Sequence, residues 1–103
     1  MYEVKQTAKN GLETLTAEMD GCNVLEIEVG TNGYQGGDSG HGCKTYFRLT
    51  DLGGTDIEVK ANKDTLGQQE VVIELGGDSE LSTFVESLKF AVKVLEDKIA
   101  NNP

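Results

Sequence analysis

With 103 residues, and 18 acidic against 9 basic side chains, the chain is sized for one domain (1–103) and carries a formal net charge of −9. That balance excludes nucleic-acid and anionic-membrane binding, both of which rely on clustered Lys and Arg. No apolar run approaches about 18 residues, so no transmembrane helix is expected, and the polar start MYEVKQTAKN is not a secretory signal, which makes a cytoplasmic location the expectation.

Tyr2 and Val4 alternate with polar residues and predict a short first strand. ETLTAEM (13–19) suits either helix or strand, and the Asp20-Gly21 pair after it favours a hairpin. NVLEIEV (23–29) then alternates cleanly, with Leu25, Ile27 and Val29 inward. KTYFRLT (44–50) puts Thr45, Phe47 and Leu49 on one face, and Gly53-Gly54 turns the chain. DIEVK (56–60) and QEVVIEL (69–75) complete the strands, with Ile57, Val59, Val71, Ile73 and Leu75 pointing inward. Glu26, Glu28, Tyr46, Arg48, Glu58, Lys60 and Glu74 make the opposite face, which is expected to be solvated and to hold weak cross-strand ion pairs.

Gly76-Gly77 stops the last strand, and Asp78 or Ser79 is a suitable N-cap for a helix over 81–100, which Asn101 to Pro103 would end. Leu81, Phe84, Val85, Leu88, Val92, Leu95 and Ile99 form one apolar stripe, expected to cover the apolar face of the sheet. The predicted fold is therefore α+β: two layers, with an antiparallel meander of about five strands and one C-terminal amphipathic helix packed on one face. Phe90 and Val94 fall opposite that stripe and touch each other four residues apart, which points to a contact between copies in a homo-oligomer. No second domain, linker, internal repeat or heptad run is read in the sequence.

The segment with chemistry is GTNGYQGGDSGHG (30–42), with six glycines and His41, the chain's single histidine. Thirteen residues far exceed the usual hairpin connection, and loops of that length tend to be functional or disordered. Glycine lets a ligand approach the backbone closely, and successive N–H groups in such loops form anion-binding concavities. From Gly30 to Thr50 the net charge is +1, in a chain that is otherwise −10. A small phosphorylated, nucleotide-like ligand is expected on Gly33, Tyr34, Gln35, Gly36, Gly37, Asp38, Ser39, Gly40 and His41. Tyr34 would stack on a base, and Lys44 and Arg48 would neutralise phosphate.

Other chemistries fit less well. Neither GxGxxG between strand and helix nor GxxxxGK[ST] is present. Gly37-Asp38-Ser39-Gly40 matches the core of the GDSGG motif of trypsin-like proteases over four residues, but those enzymes take histidine and aspartate from distant segments. Asp38, His41 and Cys43 have zinc-type donors at D-x-x-H-x-C spacing and would need a fourth ligand such as Cys22 or Asp51. No cofactor is expected. Cys22 and Cys43 are read as free thiols, with one disulfide open if their strands are neighbours. A protein-interaction or inhibitory accessory factor with an acidic surface is the alternative to ligand binding, followed by a small metal-dependent enzyme.

GYQGGDSGHG, then TYFRL, then DLGGTD, about thirty residues in all, resemble a segment of small proteins from phages and mobile elements of Gram-positive bacteria. The resemblance implies a small phage-type cytoplasmic protein. Several such proteins block bacterial defence by sequestering cyclic or ADP-ribose-like nucleotide signals inside oligomers.

Overall fold

In the computed structural model, which describes residues 2–100, Asn10 and Gly11 take φ of 54° and 79°, the backbone of a two-residue type I′ turn. They join β1 (Val4–Lys9) to β2 (Leu12–Asp20). The hairpin expected at Asp20-Gly21 forms, not as a two-residue turn but with Asp20 kept in β2 and a three-residue loop, 21–23, leading into β3 (Val24–Thr31). After the long loop, β4 (Thr45–Gly53) pairs with β3, giving an antiparallel sheet in the order β1-β2-β3-β4.

β5 (Ile57–Lys63) and β6 (Gln69–Leu75) form a separate two-stranded hairpin, so the single sheet of about five strands is in fact six strands in sheets of four and two. The reason lies in the three residues between β4 and β5. Thr55 accepts a hydrogen bond from Asn23 Nδ2 (3.0 Å) and the Asp56 N–H donates to Glu80 (3.1 Å), which ties the chain elsewhere instead of letting it fold back on β4. The hairpin keeps its expected apolar face, with Ile57 opposite Leu75, Val59 opposite Ile73 and Ala61 opposite Val71. No helix covers that face: Val59 is 58% and Val71 65% exposed.

The helix α1 (Asp78–Ala100) packs on β2 and β3 with the opposite face from the one expected. Phe90 and Ala91 are buried with Ala17, Met19, Ile27 and Val29, while Leu15, Leu49, Val94 and Leu95 pack around them. Phe90 and Val94 therefore belong to the chain's own core, not to a surface between copies. Leu81, Val85, Leu88, Val92 and Ile99 of the predicted stripe are exposed. Close packing accounts for the inversion. Thr83, Ser87 and Ala91 are small enough to bring the helix backbone near the sheet, and the buried Ser87 hydroxyl donates to the Thr83 carbonyl at 2.8 Å.

The helix start is pinned by Asn23, which is 1% exposed. Its Nδ2 donates to Thr83 Oγ1 (2.9 Å) and its Oδ1 accepts from Ser79 Oγ (2.8 Å), which in turn accepts from the Cys22 N–H (2.8 Å). Ser79, a candidate N-cap, thus faces the β2–β3 turn. The expected helix end at Asn101 to Pro103 lies outside the described residues.

Candidate functional site

The glycine loop spans residues 32–44 between β3 and β4, thirteen residues as expected, shifted by two. Gly30 sits in β3 where β2 crosses closely: a methyl there would collide with the Glu13 carbonyl and stand 2.8 Å from Thr14 Cγ2. The side chains of Thr31 and Thr45 close the neck, with their hydroxyls 3.0 Å apart.

Asn32 then clasps the neck from both sides. Its N–H donates to the Lys44 carbonyl (3.3 Å) and its Oδ1 accepts from the Lys44 N–H (2.9 Å). Its own carbonyl accepts from Gln35 Nε2 (2.8 Å), and the Gly33 N–H donates to Thr31 Oγ1 (3.2 Å). Further out, Gly37 and Gly42 lie backbone to backbone. A Cβ on Gly42, whose φ is 99°, would stand 2.6 Å from the Gly37 carbonyl oxygen, so only glycine suits the position. The Asp38 carbonyl accepts from the His41 N–H at 3.1 Å, turning the tip. The loop is a tethered Ω-type structure whose glycines let its own strands touch.

Asn32→Ala is expected to cost about 1 kcal/mol, the usual loss for one such hydrogen bond. It should also accelerate amide exchange over residues 33–43 while leaving the sheet protected. Hydrogen exchange followed by mass spectrometry reads both effects.

The predicted site residues do not gather around one cavity. Tyr34 is 69% exposed, and Gln35, Gly36, Gly37, Asp38, Ser39, Gly40 and His41 are exposed with it, while Gly33 is buried in the neck. No hydrogen bond joins Ser39 to His41 among the described residues, and none of them form a metal-binding group of His, Cys, Asp and Glu, so Asp38, His41 and Cys43 are not brought together. Cys22 and Cys43 are both free and exposed. Lys44 lies at the base of the loop, where it lines a shallow groove of about 330 Å³ with Gly11, Glu13, Thr31, Asn32 and Lys98.

Arg48 is not in the loop site. Its Nε donates to Glu28 Oε1 (2.9 Å), its Nη2 meets Glu26 Oε1 (2.9 Å) and its Nη1 bonds Thr50. The Thr14 hydroxyl donates to Glu28 Oε2 at 2.6 Å, and Thr7 stands 2.7 Å from Thr14 and 3.2 Å from Oε2. This part of the outer sheet face is not simply solvated: Glu28 is 7% exposed and Thr14 fully buried. The Thr14 hydrogen bond is the main cause that holds the Glu28 carboxyl below its ordinary range; burial works against it, and Arg48 and Thr7 reinforce it. The Arg48 guanidinium is pushed above its ordinary value, because Glu28 and Glu26 outweigh the effect of burial.

Sequence reasoning missed Asn23, the Thr7–Thr14–Glu28 chain and Lys98. For the threonines a signal was present: Thr14 and Thr16 alternate with Leu15 and Ala17, which places them beside Glu28 on the outer face. For Asn23 and Lys98 only the tertiary arrangement reveals a role. No protein-family model matches the chain, and neither a curated protein nor a solved structure is significantly similar to it.

Proposed function

We propose that the protein is a non-enzymatic binding module that takes a small phosphorylated ligand, such as a nucleotide signal, at the base of its glycine loop. The observation that carries this reading is the groove between loop and helix end. Lys44 and Lys98 both line it, and neither makes an ion pair among the described residues. In a chain of net charge −9, a concavity where two uncommitted cations outnumber the carboxylate of Glu13 repels an anion less than the acidic remainder of the surface. The tethered loop neck keeps that groove in shape, which lowers the ordering cost of binding. The non-enzymatic side of the reading rests on Glu28 and Arg48, the deepest ionic pair, which are engaged with each other and with threonines on the outer sheet face. In the phage setting that the resemblance implies, such a module would withdraw a defence signal without turning it over.

Thermal shift against cyclic dinucleotides, ADP-ribose derivatives and inorganic phosphate tests the reading. A true ligand at a hundredfold excess over Kd is expected to raise Tm by about 10 °C or more for a domain of this size. Lys44→Glu should abolish the rise, and recovery of intact ligand after heat denaturation separates sequestration from turnover. If no compound shifts Tm at saturating concentration, the ligand reading is wrong.

A second reading is favoured by one observation, the exposure of Tyr34 where the tethered loop leaves the Asn32 clasp. Rigidly presented tyrosine is a common anchor in protein interfaces. On that reading Tyr34→Ala abolishes binding to a protein partner, whereas Lys44→Glu does not.

A further inference from the structure

The structure leaves the most apolar face of α1 open. Leu81, Val85, Leu88, Val92, Leu95 and Ile99 follow one another at intervals of four and three residues, a heptad seam where none was expected from the sequence. At 100° per residue the seam lies about 150° from the Thr83, Ser87, Phe90 and Val94 face that meets the sheet. Leu81 is 62%, Leu88 41% and Val92 52% exposed, while Leu95 is shared between core and seam. A chain that folds alone gains more by turning such a stripe inward, yet this helix gives the sheet its small and polar side.

We propose that this seam is covered by the same helix of a second copy, in a parallel two-stranded coiled coil. Two observations select that occupant and orientation. Leucine fills every d position (Leu81, Leu88, Leu95), and a β-branched residue fills every a position beyond Asp78 at the helix start (Val85, Val92, Ile99), the combination that favours two parallel strands. The flanking charges agree. In a fully overlapped antiparallel pair Lys89 would face Lys89 of the partner subunit across the two-fold axis. In the parallel pair Lys89 runs beside the partner's Phe84, and the like charges that meet, Asp78 and the partner's Asp78, stand at the first residue of the helix.

The size is adequate as well. The seam offers on the order of 400 Å² of apolar surface per chain, and the stems of Lys89, Lys93 and Glu96 along its rim bring the pair to roughly 1,200 Å², the lower end of stable interfaces. Lys98 in the last helical turn lines the loop groove, so parallel pairing sets both grooves at the same end of the dimer. This inference does not depend on what the loop binds.

Sedimentation equilibrium of the full chain across a concentration series tests the pairing. The expected mass is twice the 11.1 kDa of one chain, and Leu88→Glu or Val92→Glu should each return the monomer with an unchanged circular dichroism spectrum. A wild-type chain that stays monomeric throughout, or variants that remain dimeric, would overturn it. Orientation is read by oxidation in a Cys22→Ser, Cys43→Ser background. Val85→Cys is expected to cross-link to itself, because a positions face each other only in the parallel pair. If cross-linking instead requires mixing Val85→Cys with Leu95→Cys chains, the pair is antiparallel and the orientation is overturned while self-association stands.

Discussion

Phe90→Ala is expected to destabilise the fold by about 3–5 kcal/mol, whereas Leu88→Ala, two residues away, should cost less than about 1 kcal/mol in the monomer. Phe90 is 4% exposed, lies among Ala17, Met19, Ile27 and Val29, and takes the Tyr2 ring edge-on at 5.6 Å. Truncation removes that ring pair and leaves a cavity between helix and sheet that neighbouring β-strands cannot close. The predicted loss is comparable with the whole stability of a domain this size, so the variant should be largely unfolded in mild denaturant. Leu88 is 41% exposed and loses little when shortened. Urea unfolding of both variants, made in a Val92→Glu background so that pairing between copies does not contribute, decides the matter. Equal losses, or the larger loss at Leu88, would mean that the helix is seated on its leucine face.

That contrast locates what was legible in the sequence. Strands were readable because their patterns are local: alternation in NVLEIEV and KTYFRLT located β3 and β4, which run two and three residues further than read, and QEVVIEL became β6. Phe47, expected inward, is however 48% exposed. The helix was readable as a helix but not in its rotation. Periodicity locates an apolar stripe; it does not say whether sheet or second chain covers it. Here the decisive quantity is how near the backbone can come, which favours Thr83, Ser87 and Ala91 over larger leucines. The division into two sheets was illegible for a similar reason. It depends on Thr55 and Asp56 bonding to Asn23 and Glu80, contacts 32 and 24 residues apart in sequence.

The loop shows the same limit from the other side. Its glycines announced close backbone approach, and the approach is real, but it is Gly37 against Gly42 within the loop. Lys44 was legible as a nearby cation. Lys98 was not, because it arrives from the far end of the chain. Arg48 looked equally available in sequence, yet its cross-strand register opposite Glu28 commits it to the outer face.

Arg48→Met is expected to cost about 2–3 kcal/mol at neutral pH, and the loss should shrink on acidification. Removing the guanidinium leaves Glu28, 7% exposed, with only hydroxyl donors for its charge. In the wild-type protein the folded-state value of Glu28 lies below its ordinary 4.5. Its contribution is therefore complete above about pH 4.5 and lost as pH falls through the depressed folded value. Without Arg48 burial meets less opposition and the folded value rises, so protonation relieves the variant earlier than it weakens the wild type. Denaturant midpoints of the two proteins should thus lie far apart at pH 7 and converge towards pH 3. Glu28→Gln supplies the control, since an uncharged side chain removes this titration and flattens the acid limb. A gap between Arg48→Met and wild type that stays constant across the range would show that Arg48 acts by packing its stem and not by holding the carboxylate. The network matters to the site because Glu28 stands two residues before Gly30 in β3, the strand that leads into the Asn32 clasp.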